Sequence, residues 1–263
     1  MSQAAPLVPL TREQLASVRH WFLPERPGPL IAQHLIATGN GSCLADRWPE
    51  PRALVVETGG NYTMAGDPDA LDPGRLRGLI EGFVEAPAAF EPLLAATARE
   101  LHEWPRVVLT LDGPLRPPPE PPGPHQVRRL DAGDAGSLAR LGEESVWIAN
   151  TWGGPEGLAA SGTAWGASAA SRLVAVACPF FVGTVYEDLG VVTEPGFRGR
   201  GLSTACAAAV CRDVRGRGHV PSWTTSPDNS ASLRVAAKLG FALQRRDRLL
   251  VADVPIPGGS PAY

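Results

Sequence analysis

The chain has 263 residues, enough to bury a sizeable core, and 44% of them are hydrophobic. With 24 basic against 27 acidic residues its net charge is −3, which excludes the basic excess usual in a nucleic-acid-binding surface. The longest apolar run, LVAVACPFFVGTVY, is too short for a membrane-spanning helix and contains a proline.

The N-terminal stretch MSQAAPLVPLTREQL has no basic segment followed by an apolar one, so no signal peptide is expected. Four cysteines (Cys43, Cys178, Cys206, Cys211) show neither C-x-x-C spacing nor a metal-ligand rhythm with the five histidines. A cytoplasmic protein without a metal site is expected, its cysteines acting as small apolar packing residues.

In chain order, TREQLASVRHWF opens with a capping box, Thr11 and Gln14, and predicts a helix. SCLADRW and PRALVVET read as strands, as does NYTMAGD after the Gly59-Gly60 turn. RLRGLIEGFVE and FEPLLAATARELHEW read as helices, and WPRVVLTLDG as a strand. The stretch DGPLRPPPEPPGPHQ is so dense in proline that an extended linker is expected there. These features divide the chain into a mixed α/β domain (1–112), a linker (113–126), a second domain (127–254) and a tail (255–263). The first domain shows no phosphate loop, nucleophile elbow or metal cluster.

Beyond the linker, VRRLDAGDAGSLARLGEE predicts a strand, a turn and a helix capped by Asp131 or Asp134. A tryptophan-rich segment follows, with Trp147, Trp152 and Trp165. SRLVAVACPFF and GTVYEDLGVVT read as a hairpin broken at Gly183-Thr184. Leu202, Cys206, Ala209, Val210 and Val214 recur at helical spacing, so a helix is expected from about Gly201 to Arg217. VPSWTTS reads as a strand, Asn229 to Leu239 as a helix, and FALQRRDRLLVADV as a strand pair.

Arg198-Gly199-Arg200-Gly201 thus lies across a helix N-terminus. The first turn of a helix carries backbone N–H groups without intrahelical partners and a partial positive charge. Glycines let an anion approach that backbone closely, and arginines add charge, so this corner is suited to a phosphate.

The order of strand, R-G-R-G-L-S loop, helix, strand and then N-S-A-S-L-R-V-A-A-K-L-G-F resembles the GNAT superfamily of acyl-CoA-dependent N-acyltransferases. The family signature R/Q-x-x-G-x-G/A is matched by Arg198, Gly199, Arg200, Gly201, Leu202 and Ser203, with serine departing at the last place. The asparagine that opens the family's last helix is matched by Asn229, and the helix ends in Lys238-Leu239-Gly240-Phe241. Within the superfamily the chain is similar to the zwittermicin-resistance-type acetyltransferases.

The resemblance implies an α/β fold. Its C-terminal GNAT domain has a mixed, mostly antiparallel sheet flanked by helices, preceded by a smaller α/β domain that is either a cover or a degenerate copy. It implies acetyl-CoA as donor, with the pyrophosphate on the loop amides and the pantetheine arm along Val191, Val192 and Thr193. Asn229 and Ser232 join the cofactor-binding set. Glu187, eleven residues before Arg198, takes the place of the family's general base, with Asp188 on the opposite face of the strand. The family's acidic tyrosine is replaced by Ala236. Trp147 and Trp152 would line the acceptor groove, with Asp228 and Glu156 near a cationic amine, while His219 reads as a loop residue. The implied activity is acetylation of a primary amine on a small, antibiotic-like molecule, without nucleic-acid or membrane partners. A protein or peptide acetyltransferase and a weakly catalytic acyl-CoA-binding module remain alternatives.

Overall fold

The computed structural model describes residues 6–118 and 125–257; the centre of the expected linker and most of the tail lie outside them. The chain forms two compact units. One comprises residues up to Pro24, Ile31–Arg106 and the chain from Asp247; the other comprises Glu25–Leu30 and Val107–Arg246. Residues 25–30 and 107–112 therefore cluster with the second unit, and the last strand of the chain ends in the first.

The first unit contains β1 (Val8–Pro9), α1 (Arg12–Ser17), α2 (Ile31–Thr38), β2 (Ser42–Ala45), β3 (Ala53–Thr58) and β4 (Asn61–Gly66). The one-turn α3 (Pro73–Leu76), β5 (Gly82–Glu85) and α4 (Glu91–Thr97) follow, and then β6 (Leu101–Thr110) begins. Thr11 and Gln14 form the expected capping box of α1. The second unit holds β7 (Gln126–Arg129), α5 (Ala135–Leu138), α6 (Pro155–Ala160), β8 (Trp165–Ala169), β9 (Arg172–Val182) and β10 (Tyr186–Thr193). It continues with α7 (Leu202–Gly216), β11 (Val220–Thr225), α8 (Ser230–Leu239) and the start of β12 (Ala242–Ala252).

The strands of the two units follow the same plan. In the first, β1, β2, β3 and β4 are antiparallel neighbours, β5 is parallel to β4, and the end of β12 (residues 250–252) pairs antiparallel with β5. In the second, β7, β8, β9 and β10 are antiparallel, β11 is parallel to β10, and the end of β6 (residues 107–110) pairs antiparallel with β11. Each unit thus takes its sixth strand from the chain segment that follows the other unit's fifth.

Three apolar clusters hold these strands. Leu76, Ile80, Phe90 and Leu94 pack on those of the first unit with Met64 and Leu250. In the second unit, α7 and α8 cover one face through Leu202, Cys206, Val210, Val214 and Leu239, against Leu189 and Trp223. The other face is covered by Leu138, Ile148, Trp152 and Leu158, which pack on Val176, Cys178 and Val192. Each fully buried leucine among these contributes on the order of 1.5–3 kcal/mol.

Three local expectations are corrected. Residues 75–85 are not a helix: α3 stops at Leu76, and residues 82–85 form β5. Two glycines enforce this. Gly78 has φ +74°, and Gly82 passes so close to the Gly60 carbonyl that a Cβ there would lie 2.1 Å from its oxygen. Residues 90–104 are not one helix either, since α4 ends at Thr97 and β6 begins at Leu101. A remote carboxylate sets the change, for Asp253 Oδ1 accepts from the amides of Arg99 (2.9 Å) and Glu100 (2.8 Å). The predicted C-terminal strand pair is the single eleven-residue strand β12.

Candidate active site

The site is built where β10 and β11 part. They pair only at Tyr186↔Val220, Glu187↔Pro221 and Asp188↔Ser222. Beyond that point β10 stays paired with β9 as far as Thr193↔Ala175, while Ser222–Thr225 of β11 lie against β6. The Val185 carbonyl accepts from Val220, and the Glu194 amide donates to the Val174 carbonyl of β9. Because backbone groups alternate along a strand, Leu189, Val191 and Thr193 turn their N–H and C=O groups toward the opening. Val192 turns its own toward β9. Of Val191, Val192 and Thr193, two therefore offer backbone to the gap, as does Leu189, which the sequence does not single out.

At the end of β10, buried Glu194 fixes the exit of the strand by accepting from the Gly142 amide (3.2 Å) and Arg172 (2.8 Å). Pro195–Phe197 makes a tight turn, and Gly199 (φ +78°) and Gly201 (φ +77°) hold the left-handed conformation that carries the chain into α7. Gly201 is the N-cap and offers no side chain to the first turn; the first bond of α7 is Ala205 N–H to Gly201 C=O. Among the described residues, the amides of Leu202, Ser203 and Thr204 meet no acceptor. Nothing lies within 4 Å of a Cβ built on Gly196 or Gly199, so the corner is open.

The two arginines lie beside this corner. Arg198 pairs with Glu144 (2.5 Å) and donates from Nε to the Thr193 carbonyl (3.2 Å). Arg200 lies over the Phe197 ring at 5.1 Å and donates to the Gly196 carbonyl (3.2 Å). Among the described residues, Thr193 Oγ1 is buried yet has no hydrogen-bond partner. An unpaired buried hydroxyl is costly and calls for a ligand or water.

Asn229 caps α8, its side chain accepting from the Ser232 amide (3.0 Å), and Ser232 Oγ accepts from Trp223 Nε1 (2.8 Å). These two residues secure the start of α8 beyond the end of β11. Ala236 is fully buried in the apolar cluster between α8 and the sheet, so the side chain there offers no acid.

Glu187 is fully buried on the face covered by α7. Its Oε1 accepts from Arg217 Nε (2.9 Å) and lies 2.8 Å from His219 Nδ1, while Oε2 accepts from Arg217 Nη2 (2.6 Å). The Glu187 hydrogen bond and its charge raise the Arg217 pKa further, against the opposing effect of burial. Asp188 points to the other face and accepts from Ser222 Oγ (2.7 Å) and Thr224 Oγ1 (3.0 Å). The sequence reading placed His219 in a loop, and it does precede β11, but its contact with Glu187 went unseen. The signal was present: in a β–α–β crossover the chain leaving the helix returns to the start of the first strand.

Trp147 is part-exposed and packs edge-on against Phe180 at 5.3 Å. Trp152, expected at the acceptor groove, is instead a core residue whose Nε1 donates to the Pro179 carbonyl (2.8 Å). Glu156 and Asp228 are exposed and make no contact with the Glu187 cluster. Cys206 and Cys211 lie on the buried side of α7, where desolvation pushes both thiols up to about 12, so they serve packing. Among the described residues no group of three or more His, Cys, Asp or Glu side chains could hold a metal ion, and no helix is long and apolar enough to cross a membrane.

A mixed sheet with a diverging parallel strand pair, and a glycine-arginine turn feeding a helix at its open end, defines an acyl-CoA-dependent acyltransferase architecture. A family model described as GNAT acetyltransferase matches residues 125–248. The chain is 41% identical over 215 residues to an uncharacterized N-acetyltransferase in the mutA 5′ region of Streptomyces virginiae, covering 81% of this chain and 90% of that one. The fold is also that of a GCN5-related N-acetyltransferase-like protein from Streptococcus suis (TM-score 0.70, 20% identity, 92% of this chain and 100% of that one). A tandem GNAT protein from the clavulanic acid biosynthesis pathway matches as well (TM-score 0.57, 14% identity, 95% and 99%). The chain belongs to the GNAT acetyltransferase family, and it is an N-acetyltransferase.

Proposed function

We propose that the protein transfers an acetyl group from acetyl-CoA to the primary amine of a small molecule. One observation carries this reading. β10, unpaired with β11 beyond Asp188, runs through a short turn into the uncapped first turn of α7, and at the end of that strand the Thr193 hydroxyl is buried without a hydrogen-bond partner among the described residues. The residues present fit a nucleotide-bearing thioester. The amides of Leu202, Ser203 and Thr204 with the open space at Gly199 would hold the diphosphate, flanked by Arg198, Arg200 and Gly201. Val191, Thr193 and Leu189 would pair with the amide-rich arm as a strand pairs with an edge, and Val192 would back it from the core side. Asn229 and Ser232 would keep the opposite wall in place. Bound there, the donor supplies an activated acetyl group.

An N–H at the free edge of β10 is suited to stabilising the oxygen of the reacting carbonyl. The proton released from the amine is taken up at the Glu187 cluster. Glu187 lies one residue before the point where the strands part. The resemblance to zwittermicin-resistance-type enzymes is the ground for an antibiotic-like acceptor, and the four free, buried cysteines suit a cytoplasmic setting. We propose that the first unit is a degenerate copy of the same domain. It repeats the strand plan, but its equivalent turn after β4 is filled by its own carboxylates. There Asp67 accepts from the Asp69 amide and Asp72 from the Arg75 amide, which occupies amides that an anion would otherwise meet.

Calorimetry with CoA, followed by thiol release from acetyl-CoA with panels of small amines and of peptides, tests the reading. Micromolar CoA binding with turnover on small amines is expected. Turnover on peptides alone reassigns the acceptor, and no heat with millimolar CoA overturns the proposal.

A further inference from the structure

Resting on the acetyltransferase reading, we propose that His219 is the residue that takes the proton from the acceptor amine, and that Glu187 acts through it as a positioning residue. The Glu187 carboxylate is spent. Both its oxygens accept from the Arg217 fork, and its side chain is only 1% exposed. To collect a proton directly it would have to break that buried ion pair.

The ring nitrogen 2.8 Å from Oε1 is His219 Nδ1, and a carboxylate already accepting two guanidinium N–H groups has only acceptor character to offer. Nδ1 therefore carries the hydrogen, and Nε2 of the neutral ring is left with a lone pair. This is the carboxylate–imidazole relationship in which the acid fixes the tautomer and the ring moves the proton.

Exposure points the same way. The His219 side chain is 25% exposed and that of Arg217 36%, so both reach water. Arg217 cannot give up its proton at any working pH. His219 is thus the member of the trio that both reaches solvent and can accept. It stands immediately before Val220, whose pairing with Tyr186 is the first of the three that precede the gap. The other charges nearby are Asp213 on the last turns of α7 and Glu25, whose carboxylate closes the 183–186 turn; Asp213 also acts on Arg217.

The step balances. The amine nitrogen forms the amide bond to the acetyl carbon and the carbon–sulfur bond breaks. The N–H proton passes to His219 Nε2 and leaves from there for the thiolate or for water.

The test uses the full-length protein with His219→Ala and His219→Gln, measuring kcat against pH and CoA affinity by calorimetry. We expect kcat to fall by about 10²-fold or more in both. The acidic limb of the profile should disappear, CoA affinity should stay within about twofold, and added imidazole should restore turnover to His219→Ala. Unchanged kcat with the acidic limb intact overturns the proposal, as does a loss that imidazole cannot rescue while the limb persists. Wild-type protein that binds no CoA would instead sink the acetyltransferase reading, so the two failures are distinguishable.

Discussion

Arg217 grips both oxygens of Glu187, Nε to Oε1 at 2.9 Å and Nη2 to Oε2 at 2.6 Å, joining the end of α7 to the start of β10. Removing one partner of a buried ion pair leaves the other charge without compensation. Arg217→Met should therefore destabilise the protein by about 3 kcal/mol, the low end of that range because the arginine side is wet. Urea unfolding with an unchanged slope measures it, and a loss below about 1 kcal/mol would show that water satisfies Glu187.

Ser203 lies in the first turn of α7, which has no side-chain cap. Ser203→Asp should stabilise that helix by about 0.3–1 kcal/mol, because the carboxylate favours the N-terminus. If the donor's diphosphate binds at that turn as proposed, the same carboxylate displaces it, and KM for acetyl-CoA should rise at least about tenfold. Stability and donor affinity moving in opposite directions is the signature. A rise in both would place the donor elsewhere.

Glu25 accepts four hydrogen bonds at the turn before β10, from the Thr184, Val185 and Tyr186 amides and the Thr184 hydroxyl, at 2.7–2.9 Å. Burial works against its charge, but those donors prevail and hold the carboxyl below its ordinary range. A depressed carboxyl contributes stability that is fully present above the unfolded value, about 4.3, and is lost as the pH falls through the folded value. The advantage of wild type over Glu25→Gln should be constant near neutrality and shrink below about pH 4.5. Thermal unfolding across pH 3–7 reads this. An advantage that grows toward low pH would contradict it.

Asp253 holds the Arg99 and Glu100 amides while its own backbone sits at φ +57°. Asparagine keeps both the acceptor and the tolerance for that conformation, whereas alanine keeps neither. Asp253→Asn should cost under about 1 kcal/mol, and Asp253→Ala about 2–3 kcal/mol. Equal losses in the two variants would mean that charge, not geometry, is what matters there.

Where local chemistry decides, the sequence was readable. The α8 helix shows its Asn229 cap and its Gly240 stop at φ +99°, and α7 shows its apolar stripe and its glycine entry. The open, uncapped turn at residues 198–203 could be read for the same reason, since it is a contiguous stretch of backbone. Reading failed where a distant residue chooses between local options. Residues 98–104 have helical composition, yet Asp253 turns them into a strand, and Gly82 is a strand residue because Gly60 lies against it. The Glu187–Arg217–His219 cluster was hidden likewise, being thirty residues apart in sequence and adjacent only after the crossover closes.

The sixth strands carry a consequence for dissection. Residues 107–110 complete the strand set of the second unit and 250–252 that of the first. A chain cut within residues 113–126 would leave residues 1–112 without 250–252 and residues 127–254 without 107–110, so each fragment would carry an unpaired strand edge. The boundary that composition marks in the sequence is therefore not a place where the chain divides without cost.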